Sequence, residues 1–199
     1  GPIAAARAAT EDADAQGVAA WQELQVELAH HLQAQGDPRQ QLVAAMLLAR
    51  SIDEYAPAAL QAAAAARKPE AQAIFARVRA GAEDPWVLWI TATSCRFGAA
   101  LCDRDGAIDA LLRIESDNAA VWLLALDRAR RDADREGQLD ALRGMAASTR
   151  FEQHYSDAIH AWTDAFGLMA ELPGFEALLA RIMPGSGGDA RDGDDLRAM

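Results

Sequence analysis

Apolar positions step by three and four along most of the chain. Trp21, Leu24, Leu28 and Leu32 form one such row, and Tyr155, Ile159, Trp162, Phe166 and Met169 form another. Residues so spaced lie on one side of a helix, so each row predicts an amphipathic helix whose stripe faces a core. Shorter rows recur at Ile74, Phe75 and Val78, at Ile108, Leu111 and Leu112, at Leu139, Leu142 and Met145, and at Phe175, Leu178, Leu179 and Ile182. That periodicity predicts about nine helices. The stretch Trp86 to Ala92 departs from it by being apolar all round, which suits a central helix packed on both sides.

Proline marks the joins. Asp37-Pro38, Ala56-Pro57, Lys68-Pro69, Asp84-Pro85 and Leu172-Pro173 each place the ring where a helix can begin, and Asp37 and Asp84 suit the N-cap position. The two ends lack such patterning. Residues 1–12 are expected as a loose segment opening on Gly1-Pro2, which reads as the scar of a cleaved tag and leaves room for a leader upstream. Residues 13–183 are expected as one helical domain, and 184–199, opening PGSGGDARDGDD, as a flexible tail.

A weak internal repeat joins the helices. Trp21 precedes Gly36 by the spacing that separates Trp122 from Gly137, with each Trp expected to open a helix and each Gly to end it. Ile108 to Leu111 and Leu139 to Leu142 match as well. The segment Asp117 to Ser148 (DNAAVWLLALDRARRDADREGQLDALRGMAAS) resembles a tetratricopeptide helix pair, with Asp117-Asn118 where that family has a Pro-Asn turn. The family's small residue pair after the first-helix Leu, its Tyr and its terminal Pro have no counterpart here. The resemblance, clearest over 86–148, implies an all-α fold of stacked antiparallel helix pairs, a tetratricopeptide-like solenoid, and a tendency to bind other proteins. It transfers no ligand residues.

Composition narrows the class further. Alanine dominates the apolar half of the chain while β-branched and aromatic residues are sparse, which favours helix over strand. Charged or amide side chains interrupt every apolar run, so no membrane insertion is expected. The net charge is −11 and Lys68 is the only lysine, so nucleic acid is a poor partner, whereas a basic protein would be steered towards the surface. Arginine used in place of lysine, with abundant alanine, points to a GC-rich bacterial source.

Few residues invite chemistry. Cys95 and Cys102 would lie ~10.5 Å apart on a continuous helix, too far to pair, but Gly98 can end the helix between them. A local disulfide is therefore expected, with export to a periplasm as its implication and two reduced thiols in a cytoplasmic protein as the alternative. The cysteines form neither a CxxC motif nor a zinc site, and no metal or cofactor is expected. His30 and His31 point about 100° apart on a helix and cannot converge on one ion. His154 reads as a polar-face histidine. His160, Asp157 and Asp164 share a face, for which solvation is the plainer account. Glu23 with Glu27, and Asp127 with Asp132, are acidic pairs on faces that look wet. The five tryptophans are expected in the core.

These readings favour a non-enzymatic protein-binding module, with Asp127, Arg128 and Arg131 as contact candidates because they lie off the Trp122, Leu126, Ala129 and Ala133 stripe. An exported bacterial immunity protein and an envelope assembly factor both fit that class. The rival readings are a helical enzyme acting on cell-wall glycans and a self-associating structural subunit.

Overall fold

A computed structural model describes the backbone of residues 2–49, 57–94 and 103–182, and the side chains from residue 16 to 180 within those spans. The fold of the described residues is all-α, with nine α-helices among them: α1 (Pro2–Gln35), α2 (Pro38–Ala49), α3 (Ala58–Arg79), α4 (Pro85–Thr93), α5 (Arg104–Ile114), α6 (Ala119–Arg131), α7 (Arg135–Ala147), α8 (Tyr155–Gly167) and α9 (Pro173–Ile182). A short 3-10 turn, Leu168–Glu171, follows α8. No described helix is long and apolar enough to cross a membrane. The bounds of α1 take in residues 2–12, expected as a loose segment; this alanine-rich stretch has the strongest intrinsic preference for helix. The tail 184–199 and both cysteines lie outside the described residues.

The chain divides into two compact units, one of Gly1–Leu28 with Leu168–Met199 and one of Ala29–Gly167. In the first unit, Leu24, Met169, Leu172 and Leu178 are buried. The Glu27 carboxylate lies against Gly174 in the first turn of α9, where the helix dipole favours negative charge.

In the second unit the most extensive packing joins helices consecutive in sequence, α2 on α3, α4 on α5, and α6 on α7. Lesser contacts join α5 to α6, and α2 to α4 and α8. Leu88 and Ala92 of α4 meet Ile108 and Leu111 of α5, Val121 and Ala125 of α6, and Ala141 of α7 in one apolar cluster. Helix α4 is indeed buried on several sides, with Trp86, Val87, Leu88, Thr91 and Ala92 all inside. Gly144 of α7 lies so close to the Trp122 ring that a Cβ there would overlap it, so the missing side chain lets α6 and α7 approach.

Short polar side chains start these helices. Asp84 Oδ1 accepts from the N–H groups of Trp86 and Val87 at 2.9 and 3.1 Å, and Asp37 Oδ1 accepts from Gln40 N at 2.9 Å, as expected. Asp103, Asn118 and Asp134 do the same for α5, α6 and α7.

Several expectations need correction. Pro69 sits inside α3 instead of starting a helix; buried Ala64 before it and Ala71, Ile74 and Phe75 after it keep one helix packed through the defect. Trp21 lies mid-way along α1 and is 38% exposed. Gly36, with φ +79°, does follow the end of α1, but Gly137 lies in the first turn of α7, and α6 stops at Arg131 with Ala133 in the left-handed region at φ +54°. The two Trp-to-Gly spacings therefore mark different things. The row on α8 does not face a core: Tyr155 is 75% and Ile159 60% exposed, while Ala165 is the buried residue. Leu139 and Leu142 are likewise half exposed, and α7 buries the smaller Ala141 between them.

Candidate functional site

Five carboxylates, two guanidiniums and one imidazole converge in the second unit, where the turn after α5, the α7–α8 connection, α2, and the starts of α4 and α8 come together. The connection from α7 to α8 folds back on the turn before α6, so that Ala119 N–H donates to Arg150 O at 2.8 Å and Thr149 N–H to Asp117 O at 3.0 Å. Asn118, wholly buried, fastens this contact. Its Oδ1 accepts from Ala120 N at 3.1 Å and Glu152 N at 2.9 Å, and its Nδ2 donates to Glu152 O at 2.9 Å and Glu115 Oε2 at 3.3 Å.

Arg150 spends its whole guanidinium on the same junction. Its Nε donates to Asp117 Oδ2 at 3.0 Å, Nη2 to Glu115 Oε1 at 2.7 Å, and Nη1 to Glu152 Oε2 at 2.7 Å. On the other side Arg39 donates to Asp84 at 2.7 Å and to Asp157 at 2.9 Å, with its guanidinium 5.8 Å from the centroid of the buried Trp86 ring.

His154 lies between these two arginine centres. Its Nε2 is 2.9 Å from Glu115 Oε2 and its Nδ1 is 2.9 Å from Asp157 Oδ2. An ionised carboxylate can only accept, so both contacts are hydrogen bonds when the ring carries both protons. Burial opposes the charged ring, but the Asp157 and Glu115 carboxylates outweigh it and raise the pKa above the ordinary 6.5. Burial likewise pushes the Glu115 carboxyl up, yet Arg150, His154 and Asn118 together hold it below the usual range, and His154 and Arg39 do so for Asp157. The backbone of His154 has φ +53°, a left-handed conformation uncommon outside glycine, and its carbonyl accepts from Ala158 N–H at 3.1 Å in the first turn of α8.

The atoms of Glu152, His154 and Asp157 that could ligate a metal lie within 4.8 Å of one another. Each already has a partner, Arg150 for Glu152, Glu115 for His154 and Arg39 for Asp157, so an ion would have to displace cations and a bound proton. The arrangement ties elements together; with both ring nitrogens held by carboxylates, His154 has no free nitrogen with which to take a proton from a substrate.

The ring has a second face. Trp89 lies against it, centroids 5.8 Å apart and planes tilted by 55°, and both border a cleft of about 460 Å³ lined also by Met46, Ile90, Tyr155 and Trp162. Trp162 stacks on Phe166 with centroids 5.6 Å apart. The exposed Tyr155 and Ile159 continue this apolar surface along α8.

Sequence reasoning placed the contact candidates elsewhere. Asp127, Arg128 and Arg131 on α6 join its outer side to α5: Asp127 pairs with Arg104, Arg128 with Asp109 at 2.7 Å, and Arg131 with Asp105 at 3.5 Å. Asp157 pairs with Arg39 and His154. His160 and Asp164 are exposed. His30 lies 3.2 Å from Glu70 and His31 3.0 Å from the Gln35 amide. Cys95 and Cys102 fall outside the described residues. The charged junction escaped notice because its members come from four separate stretches of chain. A clue did exist: the stretch Arg150 to Asp157 carries Arg150, Glu152, His154 and Asp157 between two helical patterns with neither Gly nor Pro to make a plain turn.

No family model matches this chain, and neither a curated protein nor a solved structure matches it.

Proposed function

We propose that the protein is a non-enzymatic protein-binding module, built of tetratricopeptide-like helix pairs, that receives a partner segment at the cleft beside α8. The pairs would be α2–α3, α4–α5 and α6–α7, a reading supported by the closer packing within each pair than between pairs. The observation that carries the binding role is the exposure of Tyr155 on a cleft lined also by Met46, Trp89, Ile90 and Trp162, with Ile159 exposed one turn further along α8. Aromatic and large aliphatic side chains around a concavity are the usual anchors of protein interfaces, whereas exposed pairs such as Arg128–Asp109 add little energy. The contact surface proposed is therefore the cleft and α8 in preference to Asp127, Arg128 and Arg131.

Selection of a displayed peptide library against the protein tests this. Selected peptides should protect residues 153–162 from amide exchange and lose about tenfold or more in affinity for Tyr155→Ala, the scale of a truncated anchor. Peptides that bind both forms equally, or protect α5 and α6 instead, would remove the cleft from consideration.

A further inference from the structure

We propose that His154 is a proton-operated latch, holding the α7–α8 connection and the wall of the cleft in place while its ring is doubly protonated and releasing them when it loses one proton to solvent. The geometry allows no neutral form with both contacts intact. A neutral imidazole has one N–H and one lone pair, and here both nitrogens face carboxylate oxygens at 2.9 Å. Whichever tautomer forms, one contact becomes lone pair against anion, so the ring must part from either Glu115 in the turn after α5 or Asp157 in α8.

The carboxylates around the ring all favour its charged form. Glu115 and Asp157 touch it and Glu152 lies nearby in its own connection, while Arg150 and Arg39 keep those acids ionised from the side of the connection and of α2. From α4 the neighbour is the uncharged Trp89 ring. The acids therefore cannot relieve the mismatch by taking up the released proton at neutral pH. What the contacts hold is a backbone that resists being held: His154 is a non-glycine residue at φ +53°, next to Tyr155 at the start of α8. Loss of either contact loosens residues 149–157, and since His154 and Tyr155 both line the cleft, its shape follows the proton.

That the cleft is a binding site rests on the function proposed above, but the latch is testable in the protein alone. Amide exchange is measured from about pH 6 to about pH 9 and corrected for the intrinsic rate, while the His154 ring is titrated by NMR. Protection over 149–157 should fall by about tenfold for each unit by which the ring's pKa exceeds its unfolded value. The fall should track the His154 titration and be absent from α2 and α3. In Glu115→Gln the amide oxygen can still accept from Arg150 while its NH2 donates to a ring neutral at Nε2, so the pH dependence should shrink with the fold kept. His154→Asn, which tolerates the left-handed backbone and cannot be charged, should show the loosened connection at every pH. Protection that is independent of pH, or an equal fall in both variants, would overturn the latch. Failure to select peptides at the cleft would not touch it.

Discussion

At the scale of single residues, Asn118 does the most with the least. One amide caps α6, fastens the α7–α8 connection at Glu152 and touches Glu115, and it is wholly buried. Removing it leaves the Glu152 N–H and carbonyl without a partner in the interior and takes away a cap. Asn118→Ala should therefore cost about 2–4 kcal/mol, a cap of about one plus the penalty for buried unpaired groups. Asn118→Asp separates these contributions. It keeps the acceptor for Ala120 and Glu152 N–H but loses the donor and sets a second negative charge against Glu115, so it should cost more than an isolated cap exchange and lose its excess penalty as acid neutralises the pair. Urea unfolding of the three proteins at neutral and acid pH decides it. An aspartate as stable as asparagine would mean that Nδ2 contributes nothing.

Among the elements, the helices were legible wherever one side of the pattern was apolar and capped by Asp or Asn, as at α2, α4 and α5. The burial of α4 followed from its apolar circumference. What the pattern misjudged was which apolar face turns inward. On α6 and α7 the small residues Ala125, Ala129 and Ala141 are buried and the larger Leu139 and Leu142 are not, because close helix approach selects small side chains. The Trp122 ring lying over Gly144 is the same effect at one contact. On α8 the strongest row in the chain faces outward at Tyr155 and Ile159, and periodicity reports a face without saying what covers it. The charged junction was illegible for a different cause: no spacing connects Arg39, Glu115 and His154. Helix α3 carries a further test. Pro69 interrupts its hydrogen bonding on the exposed side while Ala64, Ala71 and Ile74 stay buried. Pro69→Ala should restore that bond and raise stability by about 1–3 kcal/mol, within the usual helix penalty of proline. A lower melting temperature in the alanine form would mean that the helix needs the bend proline imposes.

For the molecule as a whole, the junction sets how stability depends on pH, and its two kinds of group act in opposite directions. His154 has its pKa raised on folding, so its contribution is complete below 6.5 and is lost as the pH rises through the higher folded value. Glu115 and Asp157 have theirs lowered, so their contributions are complete above 4.5 and 3.8 and are lost as the pH falls through the lower folded values. The window in which all three are satisfied therefore lies on the mildly acidic side of neutrality, between 4.5 and 6.5. The net charge of −11 tilts the curve the same way, since self-repulsion among the acids eases as pH falls towards the isoelectric point near 4.7. These two causes of alkaline weakening separate on mutation and on salt. Salt screens the diffuse repulsion over distances of about 10 Å but barely reaches a buried contact, so the alkaline limb that survives in high salt belongs to His154. His154→Asn should remove that surviving limb and leave the acid limb largely in place. Melting temperatures across this range, in low and high salt, are the measurement. A curve level from mildly acidic to alkaline pH would mean that the ring's proton contributes no stability, and the junction would then be held by its two arginines alone.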